Sequence, residues 1–511
     1  MVEQVLIKEN KKDFIINLSF FLCLCIILTI RILLFFSINI NFIDSDQPFV
    51  WIGAVDYSKL LFYEPRFYGQ DYNTFMEGLF AVPLLWLGFP VYYAVPIATH
   101  FIYLFPFLFT SIYLFRNQKK ENALLVLALV LCLPSGYDIL NSLPRGFVTG
   151  LFFCSFYILS FLNPHSFRFA VLNTLMCIVG YFVNPNSLIV SFPFAMFLFL
   201  NNYKEKAYYY AMFSCLLLVI PLHLLFNQFY KNHPEYVIFE LVYAISPAYL
   251  LENLRHLDQA FQHINFFMED KCWCLLLVFA FLAWVTFKKE KILFFTFLSL
   301  IFMILFSFLS GKVRDGAAWP FYSFSRMYLG IPLIIGLICA RLKLSKMFIS
   351  TVTVVSLLFS GYKLLWFNDN INYHTEQSHW LGVHLVSLKE IKKSAEGYKA
   401  VCEKYHLDRL IISNGFWLST YLDYGGPAIY PDFPNTEETN SERRYYVREP
   451  NKNKVFESFL YISTDYNLDK KLAGRKDLQL EKLDDYGLFL VKKNTLPNHW
   501  FMATMRAAES L

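Results

Sequence analysis

Between the first two long apolar runs, residues 41–88 gather Asp44, Asp46, Asp56, Glu64, Arg66, Asp71 and Glu77, interleaved with Trp51, Phe62, Tyr63, Phe67, Tyr68 and Tyr72. Carboxylates at the edge of an apolar region are costly unless solvated or paired, and their grouping points to chemistry, although the aromatics also suit a membrane interface. Such a carboxylate serves as a general base if an incoming hydroxyl or amine reaches it and its pKa suits deprotonation near neutrality. Asp44 and Asp46 stand two apart, on opposite sides of a strand and roughly 200° apart on a helix. They are therefore not expected to share one role: if one is the base, the other is structural or orients the acceptor. Gln70, Asn73 and Glu77 fall at i, i+3 and i+7, which predicts a helix with one polar face.

Cations come from later segments. PSGYDILNSLPRGF (134–147) offers Arg145 with Asp138, and SGKVRDGAAWPFYSFSRMY (310–328) offers Lys312, Arg314 and Arg326. Arginine suits a phosphate or pyrophosphate because its planar fork gives bidentate, charge-assisted contacts and stays charged at any working pH. For Arg314 a salt bridge to Asp315 or snorkelling explains the charge equally well. Arg326 opens an apolar helix, where a permanent charge marks a functional position. Arg31, inside the first span, is expected to snorkel or pair, and His100 and His223 to be packed, hydrogen-bonded histidines. No GxGxxG loop, P-loop, HExxH or nucleophile elbow stands in a usable context, so a soluble nucleotide-sugar or ATP site is unsupported.

The elements that must position these groups are set by lipid. The 511 residues are 56% hydrophobic and 19% aromatic with only 17% charged, and the mean hydropathy is +0.40. Apolar runs near 15–38, 91–115, 123–134, 147–162, 169–182, 188–200, 207–226, 272–287, 292–309, 327–340 and 347–367 predict about eleven transmembrane helices. With the N-terminus cytoplasmic, the short segments assigned inside carry fifteen Lys and Arg, against nine in the much longer outside loops. That asymmetry fits an odd number of crossings and puts everything after Phe367 outside. The N-terminal apolar run is too long for a signal-peptide core and is expected to remain as an anchor. The net charge of +5 lies largely in topology-setting loops, so nucleic acid is not an implied partner. Nine of the ten cysteines sit in or at apolar segments and only Cys402 lies beyond them, which excludes an internal disulfide framework; Cys272 and Cys274 lack the further ligands of a metal site.

Two domains follow: residues 1–367, a transmembrane domain with its first outer loop at 39–77, and residues 368–511, a small extracytoplasmic α/β domain. In the second, 387–406 has helical periodicity, while 409–413, 458–463 and 486–493 read as strands and 431–453 as a long polar loop or lid.

The exit of the first span, I-D-S-D-Q (43–47), the loop Y-E-P-R-F-Y-G-Q-D-Y-N (63–73) with Glu77 beyond it, and S-R-M-Y-L-G-I-P (325–332) together resemble the GT-C class of membrane glycosyltransferases. The resemblance is to bacterial relatives of the dolichyl-phosphate-mannose protein mannosyltransferases and of the lipid A aminoarabinose transferases. It implies inverting transfer of a sugar from a polyprenyl-phosphate donor to a glycan, lipid or protein acceptor outside the cytoplasm, in the bacterial inner membrane. By position, Asp46 would be the catalytic carboxylate, with Asp44 as the substitute. Glu64 would bind acceptor or sugar hydroxyls, Arg66 would sit beside the donor phosphate and Arg326 would clamp it, with Tyr68, Gln70, Asp71, Glu77, Arg145 and Arg314 as further substrate-binding residues. The family often has Asp-Glu where this chain has Asp46-Gln47. Some relatives need a divalent cation, but the pattern here requires no cofactor and supplies no metal ligand set. The competing reading is a transporter, flippase or polymerase-like carrier of lipid-linked glycans, which would show paired half-repeats and ionisable groups at the bilayer midplane.

Overall fold

The computed structural model describes residues 2–66, 73–74, 76–236, 244–314, 316, 323–377, 386–439 and 445–510, giving the helix alone at 2–12 and 368–377. Every apolar run is helical. The first part of the chain forms α1 (Val2–Leu34), α2 (Gln47–Ser58), α3 (Met76–Trp86), α4 (Val91–Arg116), α5 (Lys120–Leu131) and α6 (Ser135–Leu140). Further apolar helices include Phe167–Val183, Leu188–Asn202, Lys206–Asn232, Trp273–Lys289, Lys291–Ser307, Ile331–Arg341 and Lys346–Gln377. Among the described residues, four segments, 13–39, 91–116, 206–232 and 346–367, are long and apolar enough to cross a membrane by themselves. Helix is the local solution because a span in hydrocarbon must satisfy all its backbone groups internally. Along α1 the buried positions Phe20, Cys23, Ile27, Ile30 and Leu34 recur every three or four residues, whereas Phe21, Leu28 and Ile32 on the other side are exposed as a lipid face requires. His223 is likewise on an outward face, hydrogen-bonded as expected, to Asn227 one turn on, and beside the Phe182 ring, but exposed where the sequence suggests a packed histidine; His100 is buried and bonded to Asn39 at 2.9 Å.

Inside the bundle, one carboxylate fastens three segments. Asp138 of α6 accepts from Arg31 of α1 at 2.7 Å through one oxygen and from Lys363 of Lys346–Gln377 at 2.6 Å through the other. The Arg31 guanidinium also donates to the Asp138 carbonyl and lies 3.9 Å from the centre of the Tyr103 ring on α4. Asp138 is thus a structural anion, not a group at the mouth of the outer loops.

The C-terminal residues form a mixed sheet ordered β4-β3-β5-β7-β6, from β3 (Arg409–Ile412), β4 (Asn435–Glu438), β5 (Phe459–Ile462), β6 (Leu478–Lys482) and β7 (Leu488–Asn494). β4 and β5 run parallel to β3; β7 is antiparallel to β5 and to β6. β3 and β5 are buried on both faces, so their unbroken apolar runs are what the position demands. Helix Leu388–Lys404 covers the face bearing Leu410, Ile412, Leu460 and Ile462, and helix Asn498–Glu509 covers Ile411, Phe459 and Tyr461. β4 arises within the segment expected to be a loop or lid: Asn435–Glu438 has little strand propensity, but pairing with β3 and burial of Glu437 override it.

This sheet does not stand apart from the membrane part. The core on its first face is continuous with Phe49, Val50 and Trp51 of α2 and with Val91, Ala94 and Val95 of α4. A two-residue ribbon adds to the join: β1 (Phe42–Ile43) pairs antiparallel with β2 (Val386–Ser387).

Asp138→Asn leaves two buried cations without their anion. It is expected to destabilise the fold by about 3–5 kcal/mol, read as a lowered Tm in detergent or nanodiscs; an unchanged Tm would show that the three segments are not fastened there.

Candidate active site

The two aspartates stand between β1 and α2. Asp44 Oδ1 accepts the backbone N–H groups of Asp46 and Gln47, both at 3.1 Å, and so anchors the start of α2, where a helix N-terminus favours negative charge. Its other oxygen meets Arg145 Nη1 at 3.1 Å, while Arg145 Nη2 donates to Asp46 Oδ2 at 2.5 Å. One guanidinium therefore holds both carboxylates. The expectation that they point to opposite sides fails because residues 44–46 form a turn, not a strand or a helix. The division of labour survives in another form: the Asp44 side chain is 9% exposed and uses both oxygens, whereas that of Asp46 is 32% exposed.

Arg145 is aimed by the residue after it. Gly146 adopts φ +75°, donates its N–H to Glu77 Oε1 at 2.9 Å, and its carbonyl accepts from Asn184 Nδ2 at 2.7 Å and Thr149 Oγ1 at 2.8 Å. A Cβ at this position would fall 2.1 Å from Asn73 Nδ2, so both the backbone angle and the space call for glycine. Glu77, in the first turn of α3 and fully buried, thus reaches the backbone behind Arg145 and not a solvent-facing surface. Asn73 precedes α3 instead of sharing a helical face with Glu77; its amide meets the Arg145 carbonyl at 3.4 Å.

The same Asn184 starts a short turn, Pro185–Ser187, by accepting the Asn186 N–H at 2.8 Å. Asn186 Nδ2 then donates to the Arg326 carbonyl at 3.3 Å. Arg326 is buried in a tight turn, Phe324–Met327, whose entry is fixed by Ser323 Oγ accepting the Ser325 N–H at 3.0 Å. Asp44, Asp46, Glu77, Arg145 and Arg326 accordingly belong to one hydrogen-bonded assembly.

Electrostatics agree with this layout. Burial pushes the Asp44 carboxyl above its usual range, with Arg145 pulling the other way and the like charge of Asp46 reinforcing the rise. Burial raises Glu77 to about 8, opposed by the Gly146 N–H. Tyr421, a buried residue of the C-terminal part, lies within the field of this cluster: burial and the charges of Asp44 and Asp46 raise its hydroxyl, and Arg145 lowers it.

Other expected site residues lie elsewhere. Glu64 Oε2 accepts from the Tyr230 hydroxyl at 3.1 Å, and the Arg66 N–H donates to that hydroxyl at 3.2 Å, so both join the end of helix Lys206–Asn232. Burial raises Glu64 to about 7. Arg314 pairs with Glu252 at 3.4 Å. Tyr68, Gln70 and Asp71 lie outside the described residues, as does Asp315. Asn184, Asn186, Gly146 and Tyr421 were not singled out from the sequence. N-P-N-S at 184–187 does carry a turn signature in which asparagine side chains bond nearby backbone, whereas nothing near Tyr421 marks it. Among the described residues, no group of three or more His, Cys, Asp or Glu side chains is gathered to hold a metal ion.

Neither a family model nor a curated protein matches this sequence. Solved structures do match in fold. ArnT from Cupriavidus metallidurans in the apo state superposes with a TM-score of 0.55 at 10% identity, over 92% of this chain and 97% of that one. The same protein bound to undecaprenyl phosphate gives 0.52 at 11% identity over the same shares. The chain is a helical membrane protein with an ArnT-like fold.

Because the buried Glu77 binds its proton more tightly folded than unfolded, its contribution is full below the ordinary carboxylate value of 4.5 and is lost as pH rises through about 8. Glu77→Gln keeps an acceptor for Gly146 and is expected to flatten the fall in Tm across that interval. An identical pH slope in both proteins would refute the assignment.

Proposed function

We propose that this chain is an inverting glycosyltransferase, taking a sugar from a polyprenyl-phosphate donor and passing it to a glycan, lipid or protein acceptor on the extracytoplasmic side. The observation that carries the reading is the assembly in which Arg145 holds Asp44 and Asp46 and the Asn184–Asn186 turn ties that loop to Arg326. Inverting transfer needs a positioned base on one face of the sugar and stabilisation of the departing phosphate on the other. Acids and arginines tied to a common backbone frame supply those poles. The ArnT-like fold supports the same chemistry, since one ArnT structure is bound to undecaprenyl phosphate.

In this reading Asp46, the more exposed carboxylate, takes the proton of the acceptor. Asp44 and Glu77 are positioning residues: the first fixes the start of α2, the second the loop that carries Arg145. Arg145 holds and orients Asp46, and Arg326 clamps the donor phosphate. The reading uses no cofactor, because a divalent cation at the two aspartates would have to displace a guanidinium that already bridges them. About eleven crossings, a cytoplasmic N-terminus and an extracytoplasmic C-terminal domain complete the proposal, in the inner membrane of a bacterium.

A carrier of lipid-linked glycans is favoured only by the ionisable groups inside the bundle. Asp138 there has both oxygens engaged by Arg31 and Lys363, which suits a fastening better than a moving ion site.

Asp46→Asn in purified protein is expected to abolish sugar transfer from a polyprenyl-phosphate donor with expression and Tm intact; undiminished turnover would sink the assignment of the base. Arg326→Gln is expected to weaken donor binding by about tenfold or more, the loss of a charge-assisted contact, and acceptor binding far less. Equal losses for both substrates would rule out a phosphate clamp.

A further inference from the structure

A second polar site lies away from the two aspartates, where the C-terminal sheet meets the segment after helix Lys206–Asn232. There a cavity of about 230 Å³ is lined by Glu235, Glu437, Tyr445, Arg448, Lys452 and Asn498, among others. Its back wall is built, not incidental. Glu437 of β4 is buried, meets Arg409 at 3.3 Å and Arg448 at 3.7 Å, and accepts from Asn498 Nδ2 at 2.9 Å. The Asn498 side-chain oxygen is buried with no hydrogen-bond partner, a state that native proteins rarely leave unfilled. The Arg448 side chain is 27% exposed, and its contact with Glu437 is too long for a hydrogen bond, so the fork retains donors for a ligand.

The lining itself narrows the ligand class. Carboxylates alternate with a guanidinium, an ammonium and an amide, so a strongly charged ligand of either sign would meet repulsion from half the wall. An apolar ligand would leave the Asn498 oxygen and the spare donors of Arg448 without partners. A ring of hydroxyls matches it, since each hydroxyl both donates and accepts and adjacent pairs suit the forks of Glu and Arg. Tyr445 and Met502 add apolar surface for the C–H face of such a ring. The cavity is also joined to the first outer loop. Tyr236 packs on Tyr445 at 5.3 Å, while the neighbouring Tyr446 stacks on Tyr63 at 3.6 Å and donates to Asp56 at 2.9 Å.

We propose that this cavity is a saccharide subsite that holds a neutral sugar unit of a glycan acceptor, separate from the centre at Asp44 and Asp46. The proposal rests on the reading of the chain as a sugar transferase, and it assigns the acceptor class that this reading leaves open. No bond is made or broken in the cavity: Glu437 and Arg448 hold the hydroxyls of one ring and thereby fix where the acceptor chain lies.

The test is binding without donor, so that its failure is distinct from a failure of transfer. Full-length protein in nanodiscs is titrated with neutral monosaccharides and disaccharides, including hexoses and N-acetylhexosamines, by saturation-transfer NMR and calorimetry. At least one of these sugars is expected to bind, and Arg448→Ala and Glu437→Gln are each expected to weaken it by about tenfold or more. Asp46→Asn is expected to leave that affinity unchanged. Arg448 is partly exposed, so its variant decides the matter if the Glu437 variant fails to fold. Absence of binding by every sugar tested, or binding that Arg448→Ala does not alter, overturns the proposal.

Discussion

A single guanidinium between two carboxylates is the constraint on which the rest of this molecule turns. Arg145 bridges Asp44 and Asp46, setting one positive charge between two carboxylates that would otherwise repel each other. The arrangement works only if Arg145 is held from behind. That is why a left-handed glycine, a buried glutamate and two asparagines are spent on the backbone around it and not on solvent. A preorganised polar frame of this kind costs little reorganisation when charge develops, which is what a transfer reaction requires.

The C-terminal residues belong to this frame. Phe49 packs on Tyr424 with ring centres 4.0 Å apart, and the same core takes in Trp51 of α2 and the buried side of helix Leu388–Lys404. The helix that begins at the aspartate turn is therefore wedged between membrane helices and the C-terminal sheet. With Tyr421 in the field of the aspartates, the C-terminal part reaches the site as well as supporting it.

Much of this was legible in the sequence, for physical reasons that differ by element. The apolar runs declared their helices because lipid leaves no alternative backbone arrangement, and the first-loop acids and the arginines at 145 and 326 stood out because charge at an interface is expensive. Strands such as Phe459–Ile462 were visible through continuous β-branched and aromatic burial, but Asn435–Glu438 was not, because its pairing partner and not its own composition makes it a strand. Pairing across space was the main loss. Nothing in local spacing says that Arg314 meets Glu252, that Glu64 turns to Tyr230, or that residues 44–46 bend so that two aspartates share one arginine. The asparagines at 184 and 186 read as ordinary turn residues because their importance lies in what their side chains bridge.

The ribbon of Phe42–Ile43 with Val386–Ser387 bears on the order in which the molecule is made. The segment that leads into the aspartate turn leaves the ribosome early, yet its strand partner follows only after every apolar helix has been synthesised. Until then α2 has no C-terminal core to pack against, and Asp44 and Asp46 sit on a loop without its final support. The aspartate turn therefore matures last although it is among the first parts translated, and an interrupted chain would hold the aspartates and Arg145 without the ribbon that sets them.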